Sequence, residues 1–148
     1  MKQLLGLIFF FISCTSFSQT NKTEETTIAI ACGIVGTSSP EIVTFQKLHR
    51  SNDYVTIRKK LINGTELEKL ISAVMLQEYH SVKKIILSQS EKNKISELKN
   101  SKRRYSLCYT CTANLTGTYA QLFKQEKSSS RLALNAYDLI KDQVLNPD

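Results

Sequence analysis

Tryptophan is absent from this 148-residue chain, proline and histidine each occur twice, and glycine occurs five times. With only His49 and His80 present, and no His or Cys three or four positions after either, a histidine-built metal cage lacks members. There is no Gly-rich phosphate loop, His-Glu-x-x-His pair or Gly-x-Ser-x-Gly elbow, so the chemistries those patterns serve have no support. No segment recurs at a fixed period, which leaves a repeat solenoid unsupported. After the first dozen residues no apolar run approaches the roughly 17–25 residues a membrane helix needs.

The one long apolar run stands at the start. Met1-Lys2 is a short positive flank, and Leu4 to Ile12 is an apolar stretch of nine residues. That length is too short to span a bilayer and suits a cleavable export signal, expected over residues 1–18. Ser16-Phe17-Ser18 places small residues where a signal peptidase would cut before Gln19. Alternatively, Phe11-Ile12-Ser13-Cys14 is close to a lipobox, which would make Cys14 a lipidated N-terminus. Both readings export the protein: periplasmic or secreted in the first, held by a lipid anchor in the second.

The formal charge is +7, and removing residues 1–18 takes away Lys2 and no acid, leaving +6. Basic residues cluster as Arg58-Lys59-Lys60, Lys83-Lys84 and Lys102-Arg103-Arg104. Such groups suit acidic proteins, anionic glycans or lipid headgroups, or simply form a solvated face. Export and the lack of any recognition motif argue against nucleic acid.

Residues 19–27 are polar and without periodicity, so a disordered leader is expected there, followed by one domain over 28–148. Ile28 to Gly36 turns apolar, with Cys32 at its centre. It should dock into the core as a buried strand or a tight helical turn. Ser39-Pro40-Glu41 then starts a helix by capping, proline placement and dipole, with Ile42 and Phe45 facing inward. Ser51 or Asn52 caps a second helix carrying Tyr54, Ile57 and Leu61, and Asn63-Gly64 ends it in a left-handed turn.

Thr65 and Glu68 form a capping box for the most apolar helix. Leu67, Leu70, Ile71, Val74, Met75 and Tyr79 share one stripe that Ala73 and Leu76 widen, so this helix should be central. Residues 53–79 thus make a helix hairpin that resembles a single HEAT-type unit. The resemblance implies a protein-binding surface and not catalysis.

Ile85-Ile86-Leu87 reads as an extended link, and Ser88 with Glu91 as a second capping box. The helix it opens has only Ile95 and Leu98 to bury, which places it on the rim. Alternation of Tyr105, Leu107 and Tyr109 with smaller residues marks an extended segment around 104–112. A short helix around Tyr119, Leu122 and Phe123 follows, and a last one over 131–145 turns Ala133, Ala136, Tyr137, Ile140 and Val144 inward.

The cysteines carry the sharpest chemical question. Cys108-Tyr109-Thr110-Cys111 has the spacing of a redox pair or half a zinc site, with Cys32 more than seventy residues upstream. Thr112 stands where haem attachment needs His, no Trp or Pro flanks the pair, and no parallel-sheet pattern surrounds it. Outside the cytoplasm, thiols favour oxidation. An extended 108–111 would set the two Cα atoms roughly 10 Å apart, beyond the about 7 Å a disulfide tolerates. Cys32 would then bridge to one of them, and a turn would allow the local bridge instead. Glu66, Glu68, Glu78, Asp138 and Asp142 read as caps or solvated faces, and the tyrosines as core.

The expectation is a mainly α domain, a compact array of five or six short helices with one short extended segment. It would be a non-catalytic protein-binding module of the cell envelope or exterior, stapled by a disulfide, with no catalytic residue, metal or cofactor assigned. The alternative is a thiol–disulfide or metal-handling protein acting through Cys108 and Cys111.

Overall fold

A computed structural model describes residues 25–30, 38–108, 114–124 and 135–146. The chain is organised around one helix, Glu66–Ser81, in which every residue from Leu70 to Leu76 is buried, as is Tyr79. The elements in order are β1 (Glu25–Ala29), α1 (Pro40–Arg50), α2 (Tyr54–Asn63), α3 (Glu66–Ser81), α4 (Gln89–Lys99), β2 (Arg104–Cys108), β3 (Asn114–Thr118), α5 (Tyr119–Lys124) and α6 (Ala136–Leu145). The fold is mainly α, with a small three-stranded sheet. Helix α3 packs against α1, α2, α4, α6 and β1, which accounts for apolar residues around most of its circumference.

Local signals set most helix starts. Thr65 Oγ1 accepts from Glu68 N at 3.3 Å and Glu68 Oε2 accepts from Thr65 N at 2.9 Å, the reciprocal capping box the sequence predicts. Ser88 and Glu91 repeat it on α4, and Ser39 caps α1 with Pro40 at its first position. The cap of α2 is Asp53, whose Oδ1 accepts from Thr56 N at 3.0 Å, rather than Ser51 or Asn52. Asn52 instead adopts a φ of 55°. Its N–H donates to His49 O and that of Asp53 to Leu48 O, closing α1 in a Schellman turn.

Gly64 also departs from expectation. Its φ is −73°, an ordinary extended conformation and not a left-handed one. Glycine is needed for space: a Cβ there would lie 2.5 Å from Lys60 O and 2.8 Å from Glu68 Cβ.

The sheet has the order β1-β2-β3, with β1 parallel and β2–β3 antiparallel. Ile28 and Leu107 are paired and buried on its inner face, and Tyr105 alternates with Leu107 towards the same core. Glu25–Thr27 belong to β1 rather than to a disordered leader over 19–27, whose remaining residues lie outside the described ones. Their polar character misled because ladder bonds come from the backbone, and a strand that buries little beyond Ile28 needs few apolar side chains. Thr26 Oγ1 lies 2.6 Å from the Tyr119 hydroxyl, tying β1 to α5.

The extended reading of 104–112 holds for β2, which stops at Cys108, and residues 109–112 lie outside the description. Strand β3 was not expected at all. Its sequence, Asn-Leu-Thr-Gly-Thr, carries one large apolar residue, and that residue is 36% exposed. Gly117 sits opposite Tyr105, and a Cβ would meet the tyrosine ring and hydroxyl at 3.1 Å. Of the final helix expected over 131–145, the described part begins at Ala136, capped by Asn135, and Ala136, Tyr137, Ile140 and Val144 are buried. Among the described residues no helix is long and apolar enough to cross a membrane.

Candidate functional site: the groove between the third and fourth helices

Three clefts among the described residues bear on function. The first, about 470 Å³, lies between the C-terminal half of α3 and the rim helix α4. Leu87 and Ile95, both buried, form its floor. Gln77, His80 and Ser81 come from α3, and Lys92, Ser96 and Lys99 from α4. The spacing of the last three, i, i+4 and i+7, places them along one face of a helix. Gln77 Oε1 is buried and accepts no hydrogen bond among the described residues. His80 is exposed, with Nδ1 3.2 Å from Ile85 O.

The wall of this groove is fixed by α2. Arg58 Nη1 donates to both oxygens of Glu91, while its Nη2 donates to Ile86 O at 2.9 Å. The link between α3 and α4 is thereby held with Leu87 inward and Ile86 outward, 84% exposed. Val55 and Ile62, one turn to either side of Arg58 on α2, are also exposed, so aliphatic surface borders the link.

A second cleft, about 340 Å³, is lined by His49, Glu78, Tyr79, Val82, Lys84, Lys141, Leu145 and Asn146. His49 Nδ1 lies 2.7 Å from the Tyr79 hydroxyl, and the two rings stack with centroids 5.8 Å apart. Burial, with Lys84 and Arg50 nearby, lowers the His49 pKa against an opposing backbone hydrogen bond to Leu145, so the imidazole is neutral at pH 7. Burial, then Tyr54, raises that of Tyr79. Burial also leads the rise at Tyr137, whose hydroxyl donates to Glu78 Oε1 at 2.7 Å. Both phenols keep their protons, and the groups that resemble acid–base machinery are bonded to one another across α1, α3 and α6.

The third cleft, about 220 Å³, holds Lys69, Lys94 and Arg103 together with Glu66 and Glu97. Each of these cations has a carboxylate partner there. Among the described residues no three His, Cys, Asp or Glu side chains converge as a metal site.

Of the sequence-predicted cysteines, Cys108 ends β2, and its side chain is engaged. Cys14, Cys32 and Cys111 lie outside the described residues, as does Tyr109. Contrary to the reading that no parallel pairing surrounds the motif, Cys108 lies opposite Ala29 in a parallel pair, and Ile30 N donates to Cys108 O at 3.0 Å. The next described element is the antiparallel strand β3, where a thioredoxin-like site would place a helix.

The groove residues Gln77, Lys92, Ser96 and Lys99 were not singled out by the sequence. Their helical spacing was legible, but a charged stripe on a rim helix has the same pattern when it faces only water. Compared with known proteins, the chain matches no family model, no curated protein and no solved structure.

Proposed function

We propose that this chain is an exported, non-catalytic protein-binding module whose partner docks at the α3–α4 groove and the link beside it. One observation carries the reading: an open groove has an apolar floor of Leu87 and Ile95, and the link that supplies Leu87 also holds an aliphatic residue, Ile86, 84% exposed. An aliphatic side chain offered to water next to a concave site with an apolar floor suits an interaction face. The α2–α3 hairpin, with its likeness to a HEAT-type unit, points the same way. A disulfide involving Cys108 would staple the N-terminal segment to the sheet, consistent with export.

The alternative is a thiol–disulfide protein. It draws on the parallel β1–β2 pair, which brings Ile30, two residues before Cys32 in the chain, against Cys108. Non-reducing mass spectrometry with thiol alkylation separates the two readings. A bridge that resists mild reductant supports the module, and a readily cycling Cys108–Cys111 pair supports the alternative.

Photo-crosslinking in the source cells tests the module. Benzophenone-alanine at position 96, in the groove, should yield a discrete adduct. The same group at position 116, exposed on β3, should not. Absence of an adduct at 96, or equal adducts at both positions, overturns the reading.

A further inference from the structure

We infer that the groove takes an extended acidic segment of the partner, whose carboxylates meet Lys92 and Lys99 while one of its backbone N–H groups donates to Gln77 Oε1. This rests on the binding-module reading and names the chemistry of its ligand.

Charge separates this groove from the other two clefts. The second contains Glu78, and Lys141 there is paired with Asp138. The third contains Glu66 and Glu97. Among the described residues, the lining of the α3–α4 groove includes two lysines and a histidine but no carboxylate. Neither Lys92 nor Lys99 makes an ion pair among the described residues, and the one acid of α4 near its start, Glu91, is taken by Arg58. The groove therefore presents positive charge that its own walls leave uncompensated.

Spacing narrows the ligand. Lys99 lies seven helical positions after Lys92, about 10.5 Å along the axis. A polyproline-II-like extended peptide has three residues per turn and advances about 3.1 Å per residue, so carboxylates three positions apart share one face and span about 9.3 Å. The two residues between them flank that line, where aliphatic side chains suit the Leu87 and Ile95 floor. Such a segment leaves its backbone N–H groups unbonded and so offers the donor that the second observation calls for. Gln77 Oε1 is buried without a donor among the described residues, a cost of about 1–3 kcal/mol in a folded protein, and because Gln77 lines the groove a turn of its side chain presents that oxygen to a ligand. A peptide N–H from the ligand would remove that cost on binding, and a lipid headgroup phosphate, having no N–H, would not.

The test is an NMR titration of the purified protein with acetyl-Glu-Leu-Leu-Glu-amide. Acetyl-Lys-Leu-Leu-Lys-amide and phosphatidylglycerol vesicles serve as comparisons. The acidic peptide should shift the Gln77 side-chain amide and the backbone signals of Lys92, Ser96 and Lys99. The double variant Lys92→Glu/Lys99→Glu, with Lys92 exposed and Lys99 partly exposed at the groove's edge, should weaken binding at least about tenfold. Gln77→Leu should weaken it about threefold to tenfold while leaving preference for the acidic peptide intact. The inference is overturned if neither peptide binds, if the two bind alike, or if the double variant binds as well as the parent. It is also overturned if the protein sediments with vesicles through Lys92 and Lys99 and ignores the peptide. If the peptide fails while position 96 still crosslinks to a partner, the acidic ligand is wrong and the module stands. If the crosslink is absent as well, both fall.

Discussion

Arg58 Nη1 lies 2.6 and 2.8 Å from the two carboxylate oxygens of Glu91, joining the middle of α2 to the first turn of α4. Glu91 also accepts from Ser88 N at 2.7 Å, so one side chain caps α4 and anchors it to α2. Burial alone would raise the Glu91 pKa, but the Ser88 hydrogen bonds and the Arg58 charge outweigh it and hold the group below its ordinary value. Glu91→Gln removes the charge from a side chain that is 9% exposed and leaves Arg58 uncompensated. It should cost about 2 kcal/mol in urea denaturation at pH 7. A depressed carboxylate pKa contributes stability above the unfolded value and loses it as pH falls through the folded one. The parent should therefore lose stability below about pH 4.5, and the variant should lose less over that window.

Ser72 offers the opposite sign. Its hydroxyl is fully buried within α3 and has no hydrogen-bond partner among the described residues. Alanine removes the unpaired group, leaves a void smaller than a methyl and raises helix propensity. Ser72→Ala should raise stability by about 1 kcal/mol, read as a higher urea midpoint at constant slope. A fall in the midpoint would show that the hydroxyl is needed.

Lys83 occupies a position that glycine would fill without strain. Its φ is 59°, and α3 closes there in a Schellman turn, with Lys83 N donating to His80 O and Lys84 N to Tyr79 O. Lys84 Nζ lies over the Tyr79 ring, 5.9 Å from its centroid, making the side-chain contact that normally accompanies such a turn. Lys83→Gly relieves the left-handed strain but adds freedom to the unfolded chain, and the balance should stabilise by about 0.5 kcal/mol. Lys84→Ala should destabilise by about 0.5–1 kcal/mol. Thermal melts of the two variants should move in opposite directions.

How much of this was legible in the sequence depended on the range of the interaction. Both capping boxes, Ser39 at the head of α1 and the central position of α3 follow from residues within a few positions of each other. The strands do not. Glu25–Thr27 and Asn114–Thr118 are strands because they pair with β2, from either side and across very different sequence distances. Gly64 was correctly placed at a helix end for the wrong reason, since steric contact with Lys60 and Glu68 appears only once α2 and α3 are packed. The groove was illegible for the same cause: Gln77 and Lys92 belong to one site only because α4 lies across the end of α3.

The cysteines end where that limit lies, and their pairing can be read from energetics. Ile30 N donates to Cys108 O, so the backbone two residues before Cys32 touches the end of β2. The expected bridge is Cys32–Cys108, with Cys111 left as a thiol. Such a bridge closes a loop of more than seventy residues, worth about 4 kcal/mol by chain entropy, against about 2 kcal/mol for a local Cys108–Cys111 loop. Cys111→Ser should therefore leave stability within about 0.5 kcal/mol of the parent, since a change away from packed or bonded features rarely does more. Cys32→Ser and Cys108→Ser should each cost about 4 kcal/mol, and the double variant no more than either alone, because both remove one covalent tie. If Cys111→Ser is instead as damaging as Cys108→Ser while Cys32→Ser is silent, the bridge is the local one and the N-terminal strand is held by its ladder alone.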